Sequence, residues 1–214
     1  MLPLDDSAQT RRYPIWTMLI ILINVLIFIQ ELSVNNLESF IMQYALVPRF
    51  VDFQSFESLI PFVTSQFLHG GIIHIASNML FLWVFGDNVE ERLGFILFPL
   101  VYLTSGIVGG LSQYLTAPQS PIPMLGASGA VAGVLGAYFV FFPRHEIKTL
   151  VPLFGLFTIV RIPAFIMLIY WFVIQLLSGT ASLVFSATEQ GGVAYLAHIG
   201  GFVTGWLVGR LSKL

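Results

Sequence analysis

From residue 95 to residue 115 the chain carries no charged side chain, and neither does the stretch from 15 to 29. An apolar run of roughly 17 to 25 residues can cross a bilayer as a helix, because a helix satisfies its own backbone hydrogen bonds where lipid supplies no partner. Further uncharged runs follow at 72–85, 127–142, 164–177 and 192–208. With 57% hydrophobic and 9% charged residues among 214, and a mean hydropathy of +0.87, the chain is too apolar for an ordinary soluble domain. The expectation is an all-α membrane protein, a multi-pass six-transmembrane helix bundle forming a single domain over 1–214. There is no cysteine, which removes disulfides and a thiol nucleophile, and the net charge of −2 gives no reason to expect nucleic acid as a partner.

The segments between the runs fix the sidedness. Residues 1–14 are a mostly polar tail ending near Arg11 and Arg12, and the first run continues into Gln30-Glu31-Leu32 without a small-residue cleavage site, so it reads as a retained span. Residues 31–70 mix charges, Pro48 and Pro61 with many aromatics, a composition suited to the headgroup region, and read as an interfacial, membrane-embedded first loop. Residues 149–162 are apolar but broken by Pro152, Gly155 and Arg161, and read as interfacial rather than spanning. With the tail cytoplasmic, Arg92, Arg144, Lys148, Arg161, Arg210 and Lys213 also fall inside and only Arg49 falls outside, as the positive-inside rule asks.

In this topology the second, fourth and sixth runs all enter from the outer side, and the polar residues within them gather in the outer half. Polar side chains inside spans are costly and mark functional sites by default. His74 and Asn78 lie four apart on one helix face of the second run. Ser128, in the turn Gly126-Ala127-Ser128-Gly129-Ala130, opens the fourth, and His198 sits roughly 9 Å into the sixth at about 1.5 Å per residue. Ser128 and His198 supply a nucleophile and a general base, the minimum for acyl transfer, and no carboxylate lies deep in a run, since Asp87 is at an inner end and Glu189 in an outer loop. A dyad is therefore expected, with His74, Asn78 and the Ser128 amide donating to an oxyanion. Gly129, Gly133 and Ala137 in the fourth run, and Gly201, Gly205 and Gly209 in the sixth, recur at four-residue intervals that let helix backbones approach closely in lipid. Meeting of these two faces would deliver His198 to Ser128.

The motifs His69, His74-Ile75-Ala76-Ser77-Asn78, Gly86, Glu90-Glu91-Arg92-Leu93-Gly94, Gly126-Ala127-Ser128-Gly129 and Ala197-His198-Ile199-Gly200-Gly201, in this order, resemble the rhomboid intramembrane serine proteases of the bacterial six-span type. The resemblance covers about residues 64–209. It implies Ser128 as nucleophile, His198 as base, His74, Asn78 and the Ser128 amide around the oxyanion, and Gly126, Gly129, Gly201 and His69 as structural residues near the site. It also implies cleavage of transmembrane substrates near their outer end, the fifth run and the loop after it as gate and cap, and residence in a bacterial plasma membrane. No cofactor and no metal are implied. Two positions depart from the pattern: Ile60-Pro61 stands where many members carry Trp-Arg, and Ala132 stands where some place an aromatic on the catalytic histidine.

Simpler readings compete at each position. Ser128 alone suits a helix N-cap, His198, His74 and Asn78 could serve as interhelical hydrogen bonders, and the glycine repeats could mark a dimer interface. Other functions are a non-catalytic rhomboid-like binder of transmembrane helices, a transporter, and a metalloprotease using His69, His74 and His198, for which the H-E-x-x-H pattern is missing. Substrate identity and oligomeric state are not written in the sequence.

Overall fold

The computed structural model describes residues 1–8, 10–153, 156–184 and 194–213. The expected cap loop after the fifth run, with Glu189, and the start of the sixth run at 192 lie outside the described residues.

Helices dominate. A short strand β1 (Leu2–Asp6) precedes helix α1 (Ile15–Ser33), and the first loop holds α2 (Leu37–Tyr44) and two single turns, α3 (Phe56–Leu59) and α4 (Pro61–Thr64). The long α5 (Ile72–Tyr114) is followed by α6 (Ser128–Phe141), strands β2 (Glu146–Leu153) and β3 (Leu156–Pro163), then α7 (Ala164–Val184) and α8 (Tyr195–Leu211). The second and third apolar runs are thus continuous through the polar stretch between them, save for one break at Gly94, whose φ of 80° and ψ of 177° are far from helical values. Positive φ costs glycine little and other residues much, so the break falls there. Helices α1 and α5 are long and apolar enough to cross a membrane.

The all-α expectation is corrected by a small antiparallel sheet in the order β1-β2-β3. Residues 146–163 are rich in β-branched side chains, among them Ile147, Thr149, Val151, Thr158, Ile159, Val160 and Ile162, and such residues fit a pleated surface better than a helix. Pro152 is tolerated in the middle strand because β1 pairs only as far as Leu150, which leaves Pro152 facing Phe157 alone. Burial, opposed by the Tyr138 hydroxyl bond and reinforced by the charge of Asp87, pushes the Asp6 carboxyl up to about 6. Asp6 accepts hydrogen bonds from Tyr138 Oη at 2.5 Å and Asn88 Nδ2 at 2.9 Å, tying β1 to α6 and α5.

The same end of the molecule anchors α1. Pro14 offers no side-chain acceptor, so the first-turn amides of α1 need one from elsewhere. Buried Glu90 of α5 provides it, accepting from Trp16 N at 2.9 Å, Thr17 N at 2.8 Å and Thr17 Oγ1 at 2.8 Å. Close approach is possible because residue 86 is glycine: a Cβ there would stand 2.9 Å from Thr17 Cγ2.

Helix α6 is the centre of the bundle. It is apolar all round and buried without interruption from Gly129 to Ala137, as expected of a helix enclosed by others. Its glycine face meets that of α8 backbone to backbone. An added Cβ at Gly201 would stand 2.0 Å from the Gly129 carbonyl oxygen, and one at Gly205 would stand 1.7 Å from that of Gly133. No side chain fits in either place.

Candidate active site

Ser128 is the first residue of α6, and the N-cap position belongs to Ala127, which makes no side-chain cap. Its hydroxyl is therefore not used to cap the helix. As a first-turn group the Ser128 amide has no intrahelical acceptor, and it lies at the positive end of the helix dipole. The turn before it is held by Gly126, whose φ of 126° favours glycine and whose N–H donates to Ser65 O at 2.9 Å. A backbone bridge between Leu46 and Met124 fastens the same loop to the first loop.

His198 lies in the first turn of α8, 8% exposed, and its Nε2 is 2.7 Å from Ser128 Oγ. Its Nδ1 is 2.7 Å from Gln175 Oε1 of α7. The Trp171 ring is tilted by 31° to the imidazole with centroids 5.8 Å apart, and Tyr195 meets it edge-on at 6.4 Å. The imidazole is thus held at both nitrogens and flanked by two aromatic rings, without an aromatic at Ala132.

His74 and Asn78 project from α5 toward the same turn. A Cβ at Gly126 would stand 2.8 Å from His74 Nε2 and 3.9 Å from Asn78 Nδ2, so both side chains border the Gly126 backbone two residues before the serine. His74 Nδ1 accepts from Gly70 N at 3.4 Å, which leaves its Nε2 as the donor. Asn78 Nδ2 is buried with no partner among the described residues. A buried amide donor is costly until something accepts from it, and this one borders the serine turn.

His69 stands apart from the Ser128–His198 pair. It is buried, its backbone N–H donates to the Glu31 carboxylate at 3.0 Å, and its ring meets that of His74 edge-on at 5.1 Å. Burial, reinforced by His74, lowers its pKa to about 4, so it is neutral. His198 is turned toward Ser128 and Gln175, and among the described residues no three His, Cys, Asp or Glu side chains are placed to hold a metal ion.

Glu31, Gln175 and Trp171 are not among the residues expected from the sequence. Gln175 was open to detection, being a polar side chain inside an uncharged run, where polarity itself is the signal. Trp171, in a run with many aromatics, carries no such mark.

Comparison with known proteins places these features in a family. The Rhomboid domain model matches residues 57–213. RHOMBOID-like protein 6, mitochondrial, of Arabidopsis thaliana is 33% identical over 147 residues, covering 69% of this chain and 41% of that protein. Rhomboid protease GluP of Bacillus subtilis is 45% identical over 75 residues, covering 35% of this chain and 14% of that protein. Rhomboid-like protein 11, chloroplastic, of Arabidopsis thaliana is 28% identical over 220 residues, covering 97% of this chain and 71% of that protein. The chain thus spans less than half the length of the first two relatives. With the family match running from the first loop through the last helix, and the long apolar helix α5 within it, the chain is a membrane protein that belongs to the rhomboid family.

Proposed function

We propose that the protein is an intramembrane serine endopeptidase that cleaves transmembrane segments near the outer membrane face through a Ser128–His198 dyad. The observation that carries this reading is the 2.7 Å contact between His198 Nε2 and Ser128 Oγ inside a buried helix bundle. Relatives named as proteases, including GluP of Bacillus subtilis, support it.

His198 Nε2 takes the proton of Ser128 as Oγ attacks the scissile carbonyl carbon. The carbonyl oxygen gains negative charge and is met by the Ser128 amide, Asn78 Nδ2 and His74 Nε2, each donor worth roughly 10² to 10³ in rate. The imidazolium returns its proton to the leaving amine, and the acyl group remains as an ester on Ser128. Water, deprotonated by the same nitrogen, then attacks the ester carbon; the bond to Ser128 Oγ breaks, the imidazolium returns its proton to that oxygen, and the acid leaves.

The proposed topology has six spans, with α5 counted as two about its break at Gly94, and with the N-terminal tail on the cytoplasmic side of a bacterial plasma membrane. Its support is the sheet, which joins the tail to the 146–163 segment, and the bonds from Arg11 N to Glu91 at 3.0 Å and from Thr10 to Asp87 at 3.3 Å. The tail, the break in α5 and the hairpin thus share one end, away from Ser128. Labelling by a fluorophosphonate, insensitive to a chelator and lost in Ser128→Ala, tests the chemistry. Absence of labelling in the intact protein overturns it.

A further inference from the structure

Resting on the reading of Ser128 and His198 as nucleophile and base, we infer that Gln175 is a positioning residue: its side-chain oxygen fixes His198 in the one tautomer that can act as the base. Gln175 is buried, and its Oε1 is 2.7 Å from His198 Nδ1. A carboxamide oxygen only accepts, so the bond requires the proton on Nδ1. A neutral imidazole has one N–H, and Nε2 is left with its lone pair facing Ser128 Oγ at 2.7 Å. In the other tautomer the Gln175 carboxamide would have to turn over and present its NH2 group to Nδ1 in place of the oxygen that faces it here. Nε2 would then carry a proton toward the serine and could not remove one.

The same helix holds the ring's orientation. Trp171 and Gln175 are four apart and share one face of α7, so both reach the imidazole, one as a neighbouring ring and the other as a hydrogen-bond partner. When Nε2 accepts the serine proton, Nδ1–H remains bonded to the amide oxygen, which stabilises the imidazolium. In a Ser-His-Asp triad a carboxylate holds this place. A neutral amide performs the orienting role without the desolvation cost of an ionised carboxylate in an apolar surrounding.

The test uses the full-length protein in detergent or liposomes with a model transmembrane substrate. Gln175→Met removes the acceptor at similar volume, and Gln175→Glu keeps an oxygen in its place. Gln175→Met is expected to lower kcat at least about tenfold, the rate equivalent of one hydrogen bond, with KM within about twofold. Gln175→Glu is expected to keep most of the wild-type rate. The ¹⁵N spectrum of histidine-labelled wild-type protein, assigned by loss of signals in His198→Gln, is expected to show Nδ1 protonated and Nε2 bare. This measurement needs no Gln175 variant to fold. Wild-type kcat in Gln175→Met, equal losses in Gln175→Met and Gln175→Glu, or a protonated Nε2 would each overturn the inference. Fluorophosphonate labelling of the wild type reports on the dyad separately: labelling with an unaffected Gln175→Met sinks only the role of Gln175, whereas no labelling sinks the dyad.

Discussion

Gly201 lies against Gly129 so closely that a Cβ added to it would stand 2.0 Å from the Gly129 carbonyl oxygen. Gly129 follows Ser128, and Gly201 lies three residues beyond His198, so this backbone contact sets the distance between the two side chains. Gly201→Ala must push α8 from α6, since the obstructing atom is backbone and cannot rotate away. A displacement of about 1 Å at reacting groups costs roughly 10²-fold in rate, and overpacking costs about 1–3 kcal/mol. The expected outcome is a fall in substrate turnover of that order together with a lower unfolding midpoint in detergent. Retention of both would show that the helices do not depend on this contact.

Asn78 offers a different test, because its Nδ2 is buried and has no hydrogen-bond partner among the described residues. In the proposed mechanism Asn78→Ala removes a donor whose acceptor exists only while the substrate's oxyanion does. Turnover is expected to fall roughly 10² to 10³-fold with little change in KM. A full set of steady-state constants checks this, and an unchanged kcat would remove Asn78 from the oxyanion contacts.

Asp6 gives the attachment of β1 a pH dependence. Its carboxyl is raised from 3.8 to about 6, chiefly by burial, against the hydrogen bond from Tyr138 and with the charge of Asp87. A carboxyl raised in the folded state favours folding while protonated, and that contribution is lost as pH rises through the folded value. The strand should therefore be held more firmly near pH 4 to 5 than near pH 7.5. Hydrogen exchange at the β1 amides, corrected for intrinsic rates, should show this difference in the wild type and lose it in Asp6→Asn. A wild-type strand with the same protection at both pH values would contradict the account.

Glu90 supplies three acceptor contacts to the start of α1 from a buried position. Glu90→Ala leaves the amides of Trp16 and Thr17 and the Thr17 hydroxyl without that partner. A loss of about 2–3 kcal/mol is expected from unfolding measurements, the scale of hydrogen bonds to a charged group. A midpoint unchanged from wild type would mean that α1 is anchored elsewhere.

What could be read from the sequence follows from the range of the interactions. The apolar runs were visible because the bilayer demands local, self-satisfied helices, and Ser128, His74, Asn78 and His198 stood out because polar groups are rare in such runs. The sheet was not visible. Its strand β1 finds a partner across the chain, with Leu2 paired to Leu150, and no local pattern announces a pairing of that span. By composition the first loop starts at Glu31, yet α1 continues to Ser33 and places that carboxylate, 3% exposed, under the backbone of His69. The hold on His198 comes from α7, where Trp171 is one aromatic among several and only the polarity of Gln175 within an apolar run points to it.

The central claim is that Ser128 is the nucleophile. Its most direct test is turnover of a model transmembrane substrate in proteoliposomes by Ser128→Ala, with the unfolding midpoint measured on the same preparation. Loss of all cleavage above background, with the midpoint unchanged, is the predicted result. Undiminished cleavage by the folded variant would contradict it.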